Sequence, residues 1–346
     1  MSLLSRFTRT PSSASGRFGY AVIGLGHIAT YFLDALEGSR TAVTSALVSG
    51  DPAKAASLAR KYSVPSTYTY ADFDRIVDNP AVDAVYLALP VSQHREFTER
   101  AAAAGKHVLC EKPMAPNSAD ARAMIAACAN AGVLLSIAYR CPHSFGHRRL
   151  RELVRSGVLG NNLRIESGFG FVLNPGWRDR PELAGGGSLY DVGIYPLNAS
   201  RFLLGEDPSA VEGASAVCDS NGLERAVTWT SVFPSGARAA CRSSYTEKIP
   251  DTLRVTGDNG TLLLAPAFSH RERYEIHGEY HERSTGKTVQ IKERTSSNDP
   301  SEFRLEAEQL AAAVRNGDSL LTPGEDGLAD MVAMEAIYAA AGVRLP

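Results

Sequence analysis

Over the first 140 residues of the chain, short continuous apolar runs alternate with stretches whose apolar residues recur every three or four positions. The runs at 20–23, 44–48, 84–89, 106–110 and 133–138 have the length of buried strands. Helical spacing lies between them, to about residue 37, near 71–77, near 95–104 and near 118–131. Asp51-Pro52 announces a further helix, with the aspartate as its cap and the proline at its first position. Strands alternating with helices predict a parallel, doubly wound sheet, and ligands of such sheets collect at the carboxyl ends of the strands. From about residue 162 the period changes to two, in runs at 163–171, 211–217, 226–233, 237–245, 252–256, 260–264 and 274–281. That pattern predicts a large, open, mainly antiparallel sheet. Helices near 302–314 and 324–341 close the chain.

The first strand leads directly into Gly24-Leu25-Gly26-His27-Ile28-Ala29 and then into a helix. In that setting the first glycine permits a tight turn, the second lets a pyrophosphate approach the backbone, and the small Ala29 allows close helix packing. Phosphate would sit at the helix N-terminus. Gly24, Gly26, His27 and Ile28 are therefore cofactor candidates in a Rossmann domain. After the second strand come Ser49-Gly50-Asp51-Pro52 and Lys54. An acid there would hold the ribose of NAD, but a capping role turns Asp51 away from it. The hydroxyl of Ser49 and the cation of Lys54, with Gly50 beside them, suit a 2′-phosphate, so the expected cofactor is NADP.

Three polar groups fall at later strand ends: Leu89-Pro90 through His94, Glu111-Lys112-Pro113, and Tyr139-Arg140. Leu89, Pro90, His94, Glu111, Lys112 and Arg140 complete the cofactor-side candidates. His94 reads as a cap or a cofactor contact, Glu111 as structural, and Lys112 taken alone as a turn residue paired with Glu111. Tyr139 and Arg140 read equally as sugar ligands or as residues closing a domain junction. Further on, Gly185-Gly186-Gly187 precedes Asp191 and Tyr195. The glycines let backbone pass close to a ligand, and a helix opened by Asp191 would turn it and Tyr195 to one face. The plainer alternative is a turn, a cap and a packed tyrosine. Trp177 and Arg178, just upstream, offer an aromatic platform and a donor.

A chain of 346 residues suggests two domains. The boundaries read as an arm at 1–17, a dinucleotide domain at 18–140, and a substrate and oligomerisation domain at 141–346 whose closing helices can pack back on the first. With 36 basic against 38 acidic residues there is no polyanion surface, so nucleic acid is not an expected partner. No apolar run reaches the roughly 18 residues of a membrane helix, nor does the start carry a signal core, and a cytoplasmic location is the expectation. The five cysteines lack paired spacing, so neither a metal site nor a disulfide framework is predicted.

The glycine fingerprint, Cys110-Glu111-Lys112-Pro113, and the glycine run ending in Asp191 and Tyr195 together resemble the glucose–fructose oxidoreductase, inositol dehydrogenase and MocA family. Leu47-Val48-Ser49-Gly50, Ala138-Tyr139-Arg140 and Trp177-Arg178 through Gly205-Glu206-Asp207-Pro208 resemble its glucose–fructose oxidoreductase branch. The resemblance implies a Rossmann domain, then an α/β domain whose open sheet forms a homo-oligomer. It also implies NADP, often held so tightly that it is not released between turnovers. By the same resemblance Lys112, Asp191 and Tyr195 are the catalytic set, and Ser49 and Lys54 hold the adenosine phosphate. Oxidising an aldose at its anomeric carbon needs a base at the hydroxyl, which would be Tyr195, with Lys112 lowering the cost of an ionised phenol. Asp191 would orient a neighbouring hydroxyl. Substrate contacts are thus expected from Lys112, Tyr139, Arg140, Trp177, Arg178, Asp191 and Tyr195, for an aldose giving an aldonolactone. The rival readings are an NAD-dependent cyclitol or polyol dehydrogenase and a dinucleotide-binding regulator without catalysis.

Overall fold

The computed structural model describes residues 16–269, 273–282, 284–295 and 301–344. The expected N-terminal arm lies outside them up to residue 15. The described residues form two compact units, 16–140 with 301–328 and 141–295 with 329–344.

The chain opens with β1 (Phe18–Ile23), α1 (His27–Glu37), β2 (Ala42–Val48), α2 (Pro52–Lys61), β3 (Ser66–Tyr68), β4 (Ala84–Leu87), α3 (His94–Ala103), β5 (His107–Glu111), α4 (Ser118–Ala131) and β6 (Leu135–Ala138). All six strands pair in parallel, in the order β3-β2-β1-β4-β5-β6. The order reverses between β1 and β4, the crevice where sheets of this topology take ligands. Every residue of β1 is buried, as a strand covered on both faces must be. The stretch expected as a helix near 71–77 is a short 3₁₀ helix, Phe73–Asp78, which buries Phe73 and Ile76.

The chain continues through α5 (Arg140–His143), α6 (Phe145–Arg155), β7 (Arg164–Gly170), α7 (Pro181–Ala184), a π-helical turn (Leu189–Gly193) and α8 (Ile194–Leu204). Then come β8 (Ala210–Cys218), β9 (Glu224–Val232), β10 (Arg238–Ser244), β11 (Ile249–Gly257), β12 (Gly260–Ala265), β13 (Glu275–Glu282) and β14 (Lys287–Arg294). The eight strands run β14-β13-β12-β11-β7-β10-β9-β8, antiparallel except that β7 and β10 are parallel. Helices α6 and α8 pack on each other, α6 also on β12 and α8 on β7 and β10. On β10, buried Ala239 and Cys241 accordingly alternate with exposed Arg238, Ala240 and Arg242.

Two helices end the chain, α9 (Glu302–Asn316) and α10 (Gly324–Ala340). In the first unit Phe303, Ala307 and Leu310 of α9 join the core built by Phe18, Tyr20 and Val22 with Phe32 and Leu36. The Tyr20 hydroxyl donates to the Ala307 carbonyl at 2.8 Å, so the helix is keyed as well as packed. The division between units falls within α10. In the second unit the fully buried Asp330 accepts from Arg201 Nη1 at 2.7 Å and from Asn198 Nδ2 at 2.8 Å, tying α10 to α8. Among the described residues no helix is long and apolar enough to cross a membrane.

Candidate active site

In the first unit the turn after β1 has the shape a pyrophosphate needs. Gly24 has φ +83°, and a Cβ there would stand 2.5 Å from the Ala88 carbonyl oxygen, so no other residue fits. At Gly26 the same construction meets nothing within 4 Å among the described residues. Gly26 caps α1, whose first turn carries no acid and no side-chain cap. The N–H groups at His27 and Ile28 thus open a helix toward a space that a side chain would fill, which suits an anion. This is a cradle that fits a dinucleotide.

Beyond β2, Asp51 accepts the Lys54 backbone N–H at 3.0 Å and caps α2, while the buried Ser49 hydroxyl accepts the Asp51 N–H at 3.1 Å. The Lys54 side chain is exposed on the first turn of α2. Tyr70 packs its ring against Gly50, where a Cβ would come 3.2 Å from Cε2, and its hydroxyl bonds the Gly50 backbone. Burial pushes that phenol up and the backbone bond opposes it.

His94 is buried with both ring nitrogens on backbone carbonyls, Nε2 at 3.0 Å from Leu89 and Nδ1 at 3.0 Å from Pro113 and 3.2 Å from Met114. Burial holds its pKa below the ordinary imidazole value. The ring lies between the Leu89-Pro90 loop and the loop after β5 and, with a single N–H when neutral, donates to one of them. Glu111 is buried, its Oε1 accepting from the Tyr86 hydroxyl at 2.5 Å and its Oε2 from the Lys112 N–H at 3.2 Å. It therefore sets the backbone from which the half-buried Lys112 extends. Burial pushes the Glu111 carboxyl up, against the Tyr86 bond and the cations of Lys112 and Arg140. Tyr139 and Arg140, at the end of β6, are buried.

In the second unit the expected helix opening at Asp191 lies two residues earlier. The π-turn begins at Leu189 after Ser188, because Ser188 and the Leu189 N–H are both engaged by Glu224, and Asp191 falls within its first turn. Tyr195 follows at the start of α8. Asp191 Oδ2 lies 2.7 Å from Arg178 Nε, and the Asp191 carboxylate also accepts from the Tyr245 hydroxyl. Burial pulls the Arg178 guanidinium down, but Asp191, then Tyr245 and Tyr195, outweigh it and leave it above its ordinary value. Burial, then Asp191, pushes the Tyr245 phenol up.

Arg178 also lies over the Trp177 ring at 4.6 Å. The turn that carries both is held by Asp179, which accepts from Arg225 Nη1 at 2.6 Å and from the Gly176 N–H at 3.0 Å. The Tyr195 ring stacks on Phe268 at 5.9 Å and meets Phe169 edge-on at 5.8 Å. A carboxylate, a guanidinium and two phenols beside aromatic faces form the kind of cluster that orients a hydroxylated ligand. Arg178, expected as a donor to sugar hydroxyls, has Asp191 as a protein partner. Tyr245 and Tyr70 escaped the sequence reading, since their partners are set by tertiary pairing and not by local spacing.

Residues 18–139 match the profile of an oxidoreductase family described as having an NAD-binding Rossmann fold, and residues 147–263 match the GFO/IDH/MocA C-terminal domain. A D-xylose 1-dehydrogenase [NADP(+)] of Haloarcula marismortui is 32% identical over 337 residues, covering 93% of this chain and 90% of that protein. The crystal structure of an aldose-aldose oxidoreductase from Caulobacter crescentus, complexed with glycerol, superposes with a TM-score of 0.88 at 39% identity, covering 94% of this chain and 98% of that one. A levoglucosan dehydrogenase complexed with NADH and levoglucosan shares the fold, with a TM-score of 0.83 at 20% identity over 94% of this chain and 97% of that one.

Proposed function

We propose that this chain, which belongs to the GFO/IDH/MocA oxidoreductase family, is an NADP-dependent sugar oxidoreductase that acts at the anomeric carbon of an aldose and yields an aldonolactone. The carrying observation is the cluster in which Asp191 pairs with Arg178 and Tyr245 four residues before Tyr195. Its full-length likeness to two aldose enzymes favours an aldose over a cyclitol.

Bound NADP supplies the hydride acceptor. Gly24, Gly26, His27 and Ile28 are assigned to its pyrophosphate and Ser49, Gly50 and Lys54 to its adenosine phosphate. Leu89, Pro90, His94, Glu111 and Arg140 shape the nicotinamide side. Tyr195 takes the proton of the anomeric hydroxyl, and Asp191, held between Arg178 and Tyr245, accepts from a second hydroxyl to fix the sugar's orientation. Lys112 completes the catalytic set. Trp177 offers the sugar an aromatic face, and Tyr139 and Arg140 are assigned to its remaining hydroxyls. We further assign to the eight-stranded sheet the contact between copies in a homo-oligomer, which light scattering tests.

The deciding experiment is the near-ultraviolet spectrum of freshly purified protein, then of the same sample mixed with D-xylose or D-glucose. Reduced nicotinamide should appear on mixing. If it does so without added NADP and bleaches when a second sugar follows, oxidation is coupled to reduction on retained cofactor. Silence across a broad aldose panel with NADP added overturns the assignment.

A further inference from the structure

A buried network stands behind the π-turn, and none of the roles assigned above uses it. Glu224, at the head of β9, is 2% exposed. Its Oε1 accepts from the Ser188 hydroxyl at 2.6 Å, and its Oε2 accepts from the Leu189 N–H at 2.8 Å and from the Tyr338 hydroxyl at 3.1 Å. The Tyr338 hydroxyl in turn accepts the Gly187 N–H at 3.0 Å. Three consecutive residues, 187 to 189, are thus held directly or through one hydroxyl by a single carboxylate. Of these donors the Leu189 N–H is one that the start of a helix leaves without a partner, where a negative charge is favoured.

Gly187 is what allows this approach. A Cβ on Gly187 would fall 1.8 Å from the Glu224 carbonyl oxygen and 2.8 Å from its Oε2. Ser188, Ser243 and Tyr338 are each no more than 1% exposed, and the hydroxyls of Ser188 and Ser243 lie 2.9 Å apart. From this anchor the chain needs only two more residues to reach Asp191, whose own N–H points back to the Gly187 carbonyl at 3.4 Å.

We propose that Glu224 is a positioning residue for Asp191: by gathering the donors of residues 187–189 it fixes the π-turn from which Asp191 meets Arg178 and Tyr245. The proposal rests on the reading of Asp191 as the group that orients the sugar. A displacement of about 1 Å at such a group costs about 100-fold in rate, so a residue that never touches the substrate can govern turnover.

The test is Glu224→Gln, which keeps the volume but turns one acceptor into a donor, with Ser188→Ala and Tyr338→Phe as milder members of the same network. In Glu224→Gln, NADPH binding followed by fluorescence should match the wild type. Its kcat on the aldose that the wild type oxidises should fall about 10- to 100-fold. Deuterium uptake by a peptide spanning 187–193 should quicken. Tyr338→Phe should move both readouts the same way by less, and the double variant should cost no more than Glu224→Gln alone, since both act through one network. Should Glu224→Gln fail to fold, the two milder variants carry the test. Wild-type kcat with wild-type exchange overturns the proposal, as does a slowed variant whose 187–193 exchange is unchanged. A wild type that oxidises no aldose sinks the functional reading instead, while the exchange measurement still decides whether Glu224 sets the turn.

Discussion

Arg178 Nε donates to Asp191 Oδ2 at 2.7 Å, and the side chains are 36% and 16% exposed, so the pair faces solvent on one side only. An arginine that both pairs with a carboxylate and lies over Trp177 holds the carboxylate's direction as well as its charge. Replacing Arg178 with alanine should raise the sugar KM roughly 10-fold, the worth of one hydrogen bond to a charged group, while NADP affinity stays put. Lysine, lacking the planar fork, should recover part of that loss. Steady-state kinetics with a separate cofactor titration check both outcomes.

Tyr195 can lose its hydroxyl without losing its place, because its ring is held by Phe169 and Phe268. Tyr195→Phe should bind NADP and sugar as the wild type does, and its kcat should drop by at least about 100-fold, the usual weight of a positioned proton acceptor. Normal turnover in this variant would remove Tyr195 from the role of base.

The Asp51 carboxylate is committed to the Lys54 N–H as a cap, and the proposed assignment leaves discrimination between the two nicotinamide cofactors to Ser49 and Lys54. Lys54→Ala should weaken NADP binding about 10- to 100-fold and leave NAD binding alone, as expected for loss of a charged phosphate contact. Equal NADP affinity in variant and wild type would favour the NAD-dependent dehydrogenase reading. Isothermal titration with each cofactor separates the two.

Glu306 is 1% exposed, and among the described residues neither of its carboxyl oxygens has a hydrogen-bond partner. Burial holds its pKa well above the ordinary value, Glu111 pushes the same way, and Arg140 only partly offsets them. A carboxyl raised on folding contributes its stability below the unfolded pKa, near 4.3, and loses it as pH climbs through the folded value. Glu306→Gln mimics the protonated acid at every pH. Its Tm should therefore run close to the wild type near pH 4 and pull ahead by a few degrees, about 2–4 °C per kcal/mol for a chain of this kind, as the pH rises toward 9. A gap that stays constant or narrows with rising pH contradicts the assignment.

The doubly wound half is legible because its signals are local. The strand before Gly24, the two glycines and the Asp51-Pro52 cap each dictate a backbone within a few residues. Helix α6 escapes the same reading because Leu150, Leu153 and Val154 are set among four arginines, which thins the apolar period. Strand β14 offers only Val289 and Ile291 among polar residues, and its partner β13 is what makes it a strand. The parallel pairing of β7 with β10 carries no local mark at all. Within the candidate site the residue types at 112, 191 and 195 stand out in the sequence. The partners of Asp191 do not, for Tyr245 is 54 positions away in the numbering and Glu224 acts through backbone that only folding brings near it.

Leu189–Gly193 is wound as a π-helix, whose hydrogen-bonded loop spans one residue more than that of an ordinary helix. Loss of a single residue between Ser188 and Ile194 would let the segment rewind as an α-helix that covers nearly the same turn with one residue fewer, so Ser188 would stay by Glu224 and α8 would keep its place. Such a deletion would spare the elements on either side and be felt by the side chains inside the turn, Asp191 among them, which would take new bearings around the axis.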